Sequence, residues 1–167
     1  NVIKWAEMLV EQNSDSEITL FGVSMGGATV MMASGEETLP KQVVNIVEDC
    51  GYSSVWDELK YQAKVMYNLP AFPILYEVSA VSKVRAGFSY GQASCVKQLK
   101  NNTRPILFIH GSEDKFVPTS MVYKNYRATN SEKDLYIAKG AAHAKSFESD
   151  PKTYIEKISA FLQKNEK

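Results

Sequence analysis

The chain has 167 residues, enough for one domain with a sizeable core, and its 19 basic and 19 acidic side chains cancel. No overall field therefore draws it to nucleic acid or to an anionic membrane surface, and no basic run interleaved with aromatics appears. Two cysteines and two histidines are too few for a disulfide scaffold or a zinc cluster, and the apolar runs are too short to span a bilayer.

The first stretch, Asn1 to Gln12, puts Val2, Ile3, Ala6, Leu9 and Val10 on one helical face. It opens without a start methionine, a signal peptide or a leading segment. The expectation is a piece of a protein roughly twice as long, beginning inside or at the very edge of a helix. Asn13 to Ser16 reads as a turn, and Ile18–Val23 as a β-strand.

That strand runs into Gly22-Val-Ser24-Met-Gly26, and an Ala-, Met- and Gly-rich helix follows from Met25 to about Ser34. In this context the Gly-x-Ser-x-Gly pattern means a nucleophile elbow, a sharp strand-to-helix turn that pushes the serine hydroxyl out of the sheet. A Cβ at Gly22 or Gly26 is expected to collide with the opposing backbone. The pattern recurs at Gly87-Phe-Ser89-Tyr-Gly91, where charged residues precede it and no apolar strand does. Ser89 reads as a loop serine, and Ser24 is the candidate nucleophile.

Gly35 to Pro40 breaks the helix, and Val43–Val47 is a second buried strand, leading to Glu48-Asp-Cys-Gly-Tyr-Ser53. Cys50 stands just past that strand, either near the site or in a buried packing role. Near-continuous apolar strands separated by helices imply a mostly parallel sheet covered on both faces. Residues 55–101 differ. They read as two helices, Val55–Asn68 and Phe72–Val84, hinged at Pro70 and Pro73. A helical cap inserted between strands has this pattern, and it divides the chain into a first core part (1–54), a cap (55–101) and a second core part (102–167). Its aromatics, Trp56, Tyr61, Tyr67, Phe72 and Tyr76 among them, either line an acyl pocket or form the cap's own core.

Strand character resumes at Pro105–His110, which ends at Gly111-Ser-Glu-Asp114. Thr119 can cap a helix running to about Ala128. Asp134–Ala138 is the last strand, followed by the loop Lys139 to His143, and Asp150 with Pro151 opens a final helix buried through Tyr154, Ile155, Ile158, Phe161 and Leu162. No Walker loop and no Gly-x-Gly-x-x-Gly follows a strand, so no cofactor is expected and no metal either.

In an open parallel sheet, residues past the carboxyl ends of the strands converge on one edge. Ser24, Asp114 and His143 each follow a strand, in the order Ser, Asp, His. A serine hydroxyl needs a base within hydrogen-bond reach, and the base needs a group to hold its tautomer. Asp114 has a rival in Glu113. His110, within its strand, reads as a structural residue that shapes the Asp114 turn.

These stretches carry a resemblance. Gly22-Val-Ser-Met-Gly-Gly27, Phe108-Ile-His-Gly-Ser-Glu-Asp-Lys-Phe-Val-Pro118 and Gly140-Ala-Ala-His143 make the chain similar to the C-terminal part of an α/β-hydrolase. Asp49-Cys-Gly-Tyr-Ser53 and the terminal Asp-Pro-x-x-Tyr helix fit bacterial serine hydrolases of the esterase and prolyl-oligopeptidase-like type. The resemblance implies Ser24 as nucleophile, His143 as general base and then acid, Asp114 as orienter, and the backbone N–H of Met25 as one oxyanion donor. Members of this superfamily carry further strands upstream, the loop after one of which supplies the second oxyanion donor, and nothing here matches that segment. The elbow strand is then expected to be an exposed apolar edge, open to the missing N-terminal segment or to a self-association partner. The implied reaction is hydrolysis of a small carboxylic ester through an acyl-enzyme; the low cysteine count adds the expectation of a reduced, cytoplasmic chain. The alternatives are a peptidase or amidase acting on short acylated peptides, and a non-catalytic binding module of the same fold.

Overall fold

A computed structural model describes residues 2–165 of the chain; Asn1, where the first helix was expected to begin, lies outside them. The elements alternate as the hydrophobic pattern predicts. Helix α1 (Val2–Gln12) leads to β1 (Ile18–Val23), α2 (Met25–Ser34) and β2 (Val43–Asp49). Helices α3 (Val55–Tyr67) and α4 (Ile74–Ala86), a short 3-10 turn at Tyr90–Gln92 and helix α5 (Cys95–Leu99) separate β2 from β3 (Ile106–Gly111). After β3 come α6 (Ser120–Ala128), β4 (Lys133–Ala138), α7 (Ser146–Ser149) and α8 (Pro151–Lys164).

The four strands form one parallel sheet in the order β1-β2-β3-β4. Parallel neighbours require a crossover, so helices must cover the faces of the sheet. On one face Met31, Ile46, Leu99, Phe108 and Val122 pack in a core built with α2, α5 and α6. On the other, Val47, Leu107 and Ile109 pack against Tyr154 and Phe161 of α8. β3 is buried at every position, which explains its unbroken apolar run. β1 lies at the edge of the sheet among the described residues. Its side chains alternate between buried and exposed, leaving Phe21 50% and Val23 39% exposed.

Several local expectations need correction. β2 runs two residues beyond Val47 and takes in Glu48 and Asp49, both buried; acidic side chains end an apolar pattern but do not end a strand when hydrogen bonds await them. Thr119 does not cap α6 with its side chain. Its hydroxyl instead donates to the carbonyl of Gly111 at 2.8 Å. The region between β2 and β3 has little core of its own: α4 buries no residue, and Glu58 is the buried residue of α3. Phe72, Tyr67 and Tyr76 are exposed, and Trp56 and Tyr76 meet edge to face at 4.8 Å. Helix α5 was not expected, because its single turn is too short to show a period. Asp150 does cap α8, accepting from the Thr153 N–H at 3.0 Å, with Pro151 at the first helical position.

Candidate active site

The turn after β1 is tight. A Cβ on Gly22 would stand 2.2 Å from the backbone oxygen of Gly26, which no local shift can relieve. Gly27 is also crowded, 3.1 Å from the Asp49 carbonyl oxygen, whereas a Cβ on Gly26 would meet nothing within 4 Å. The collision expected at Gly26 is therefore absent, and the close approach falls on Gly22 and Gly27. Between them Ser24 adopts φ 56°, ψ −115°, a conformation rare for a residue with a side chain and characteristic of functional turns. Its N–H donates to the Asp49 carbonyl at 2.8 Å, which anchors the turn to the end of β2.

The hydroxyl that this turn projects lies 2.8 Å from His143 Nε2. His143 Nδ1 lies 2.7 Å from Asp114 Oδ2. The ionised Asp114 carboxylate can only accept, so Nδ1 carries the proton and Nε2 is left to accept from the serine. The other carboxylate oxygen, Oδ1, accepts the backbone N–H groups of Phe116 and Val117, both at 2.9 Å. Burial opposes the Asp114 charge, but hydrogen bonds from His110, His143 and the Val117 N–H outweigh it and hold the carboxyl below its ordinary range. His110, fully buried, presents Nε2 to the Val117 carbonyl at 2.9 Å and to Asp114 Oδ2 at 3.3 Å. Both neighbours are acceptors, so Nε2 bears the hydrogen; Nδ1 has no partner.

The structure thus brings together Ser24, Asp114 and His143 from turns after β1, β3 and β4. Glu113 is exposed, and its N–H holds the Ala141 carbonyl at 2.9 Å. Ser89 sits elsewhere: its N–H bonds Gln92 Oε1 at 2.7 Å as half of a capping box for the 3-10 turn. Met25 opens α2, so its N–H belongs to the first-turn amides that the helix's own ladder leaves unpaired.

Three further side chains surround these groups, two of them, Phe116 and Glu58, with no role expected from the sequence. Phe116 packs its ring 4.9 Å from that of His143. Glu58 bonds Gln62, which in turn donates to the Phe116 carbonyl at 2.7 Å. Cys50, left open between a site and a packing role, is fully buried yet has its sulfur within 4.8 Å of donor atoms of Asp114 and His143. Burial, with the Asp49 and Asp114 charges, pushes its thiol well up. A protonated thiol beside a carboxylate already engaged by two histidines is a poor cation site. Only Cys50 carries a sequence signal, its place just past a strand end; Phe116 meets His143, and Gln62 meets the Phe116 carbonyl, across elements far apart in the chain.

The parallel sheet with its helices on both faces and a strained serine turn at the strand ends defines part of an α/β-hydrolase fold. The chain belongs to the prolyl oligopeptidase family, which it matches over residues 1–167. It is 29% identical over 145 residues to the uncharacterized protein YqkD of Bacillus subtilis, covering 87% of this chain and 47% of that protein. The chain thus spans about half the length of the curated relative it matches. Among solved structures, an acylaminoacyl peptidase of Pyrococcus horikoshii superposes with a TM-score of 0.65 at 21% identity, over 95% of this chain and 25% of that one. An esterase of Pyrococcus furiosus superposes with a TM-score of 0.65 at 19% identity, over 98% of this chain and 58% of that one. Among the described residues no helix is long and apolar enough to cross a membrane.

Proposed function

We propose that the protein is a serine hydrolase that cleaves small carboxylic esters through an acyl-enzyme. Ser24 attacks the carbonyl carbon while His143 Nε2 takes the hydroxyl proton. Asp114 holds the imidazole in the required tautomer and offsets the charge it gains. The Met25 N–H, at the positive end of α2, stabilises the oxyanion. His143 then returns the proton to the leaving group, and water repeats the sequence to free the acid. The observation that carries this reading is the continuous relay of 2.8 Å and 2.7 Å contacts ending on a serine held at positive φ.

A peptidase or amidase acting on short acylated peptides is the second reading. It is favoured by the family match and by the fold shared with the Pyrococcus horikoshii acylaminoacyl peptidase. The helices between β2 and β3 are the proposed cap over the substrate. A groove of about 570 Å³ between α3 and α6, lined by Tyr61, Leu69, Pro70 and Met121, includes none of Ser24, Asp114 and His143.

Labelling with a fluorophosphonate probe tests the nucleophile: wild type and Ser89→Ala are labelled and Ser24→Ala is not. Labelling that survives Ser24→Ala would refute the assignment. Rates on p-nitrophenyl esters against acyl-peptide p-nitroanilides separate the ester reading from the peptide one.

A further inference from the structure

His143 stands in a loop, and a base in a loop is only as well placed as the points that fix the loop. On its N-terminal side the loop is held by β3 and the turn after it. The Ser112 N–H donates to the Ala138 carbonyl and the Glu113 N–H to the Ala141 carbonyl, both at 2.9 Å. On its C-terminal side the fixing group is Ser146, a fully buried serine that opens α7. Its hydroxyl donates to Asp49 Oδ1 at 2.9 Å.

Asp49 has further partners. Its Oδ2 accepts the phenol of Tyr154, from α8, at 3.0 Å, and its backbone oxygen accepts the Ser24 N–H at 2.8 Å. The next residue, Cys50, has its sulfur within 4.8 Å of ligand atoms of Asp114 and His143. Ser24, Cys50 and Ala144 all have positive φ (56°, 50° and 55°). Strained residues of this kind persist only where their surroundings over-determine them. The end of β2 therefore reaches both the serine turn and the histidine loop.

We propose that Asp49 is a positioning residue for the reaction: through Ser146 and Tyr154 its carboxylate sets the distance between His143 and Ser24. The proposal rests on the serine-hydrolase reading. Asp49 touches no reacting atom and acts only by holding the base against the nucleophile. A hydroxyl donating to a buried carboxylate is a charge-assisted bond, stronger and shorter-ranged in its tolerance than a neutral one. A small displacement of a catalytic group is costly because the reaction needs near-attack geometry, whereas substrate binding does not sense it.

The test is steady-state kinetics on a p-nitrophenyl ester, with thermal stability measured alongside, for Ser146→Ala, Tyr154→Phe, Asp49→Asn and the pair Asp49→Asn with Ser146→Ala. Ser34→Ala is the control; that hydroxyl is also buried but bonds the Met31 carbonyl, away from the site. Ser146→Ala and Tyr154→Phe are expected to lower kcat by about 10- to 10²-fold with KM nearly unchanged. The paired variant is expected to lose less than the product of the single losses, since both act through one link. Ser34→Ala is expected to lose stability and keep kcat. Wild-type kcat in Ser146→Ala and Tyr154→Phe would overturn the proposal, as would losses that track stability in the manner of the control. Fluorophosphonate labelling of wild type and Ser24→Ala separates the two failures. If Ser24→Ala still labels, the hydrolase reading falls and takes this proposal with it. If Ser24→Ala is silent while the Asp49 partners prove dispensable, only the positioning role falls.

Discussion

His110 and His143 converge on the same oxygen of Asp114, at 3.3 Å and 2.7 Å from Oδ2. One imidazole comes from inside a fully buried strand and the other from a partly exposed loop. The arrangement leaves Asp114 no second position: Oδ1 is held by two backbone amides and Oδ2 by two rings. On the proposed mechanism, Asp114→Asn is expected to lower turnover by about 10⁴-fold, because an amide in this place favours the wrong tautomer of His143. The same variant has a signature in acid. Because the folded pKa is depressed, the ionised carboxyl contributes stability above the unfolded value of about 4. That contribution is lost as pH falls through the lower folded value. The stability deficit of Asp114→Asn should therefore be full at neutral pH and shrink below about pH 4, as measured by denaturant unfolding across pH.

Glu48 shows the opposite sign. It is wholly buried at the end of β2, with Oε2 accepting the Gly51 N–H at 2.9 Å and Oε1 without a partner. Burial raises its pKa well above the ordinary value, opposed by the Gly51 N–H and assisted by the neighbouring Asp49 charge. A raised folded pKa contributes stability that is complete below about pH 4.3, the unfolded value, and lost as pH rises through the folded one. Glu48→Gln keeps the shape and removes the titration. Its melting temperature relative to wild type is expected to rise between pH 5 and pH 8; a constant difference over that range would count against a raised pKa.

The two glycines of the serine turn should part company. Gly22→Ala forces a Cβ to within 2.2 Å of a backbone oxygen and should cost about 1–3 kcal/mol or abolish folding. Gly26→Ala meets open space in the first turn of α2 and should be neutral or stabilising by up to about 1 kcal/mol. Chemical denaturation of both variants checks this.

Both cysteines should be inert in the folded protein. Each is fully buried; burial with the nearby acidic charges pushes Cys50 well up and Cys95 to about 12. Thiolate is the reactive form, so alkylation by iodoacetamide at pH 8 should label neither until denaturant is added. Native labelling of Cys50 would show that the site opens.

Much of the fold is legible because the strand and helix periods are local. Ile18–Val23, Met25–Ser34 and the Asp150-Pro151 helix start can be placed residue by residue from spacing and capping chemistry alone. Thr119 shows where such reasoning stops. It has the residue type of a cap, yet its hydroxyl bonds the Gly111 carbonyl, an acceptor contributed by a strand end that capping preferences do not consider. Gly26 shows the same limit, since a pattern glycine need not be a crowded one. Of the aromatics between β2 and β3, Tyr67, Phe72 and Tyr76 are exposed, and α4 buries no residue at all, so a stripe in one dimension is not a core in three.

The amino-acid order determines which residues follow which strands, and so which serine, aspartate and histidine are available at the carboxyl ends of the sheet. Those are consequences of period, turn chemistry and chain order, which act over a few residues. The tertiary structure decided what these groups meet. It set Ser24 2.8 Å from His143, gave Asp114 a second histidine, and buried Asp49 between Ser146 and Tyr154. Those partners lie on separate elements, and only the packing of the sheet and its helices sets the distances between them.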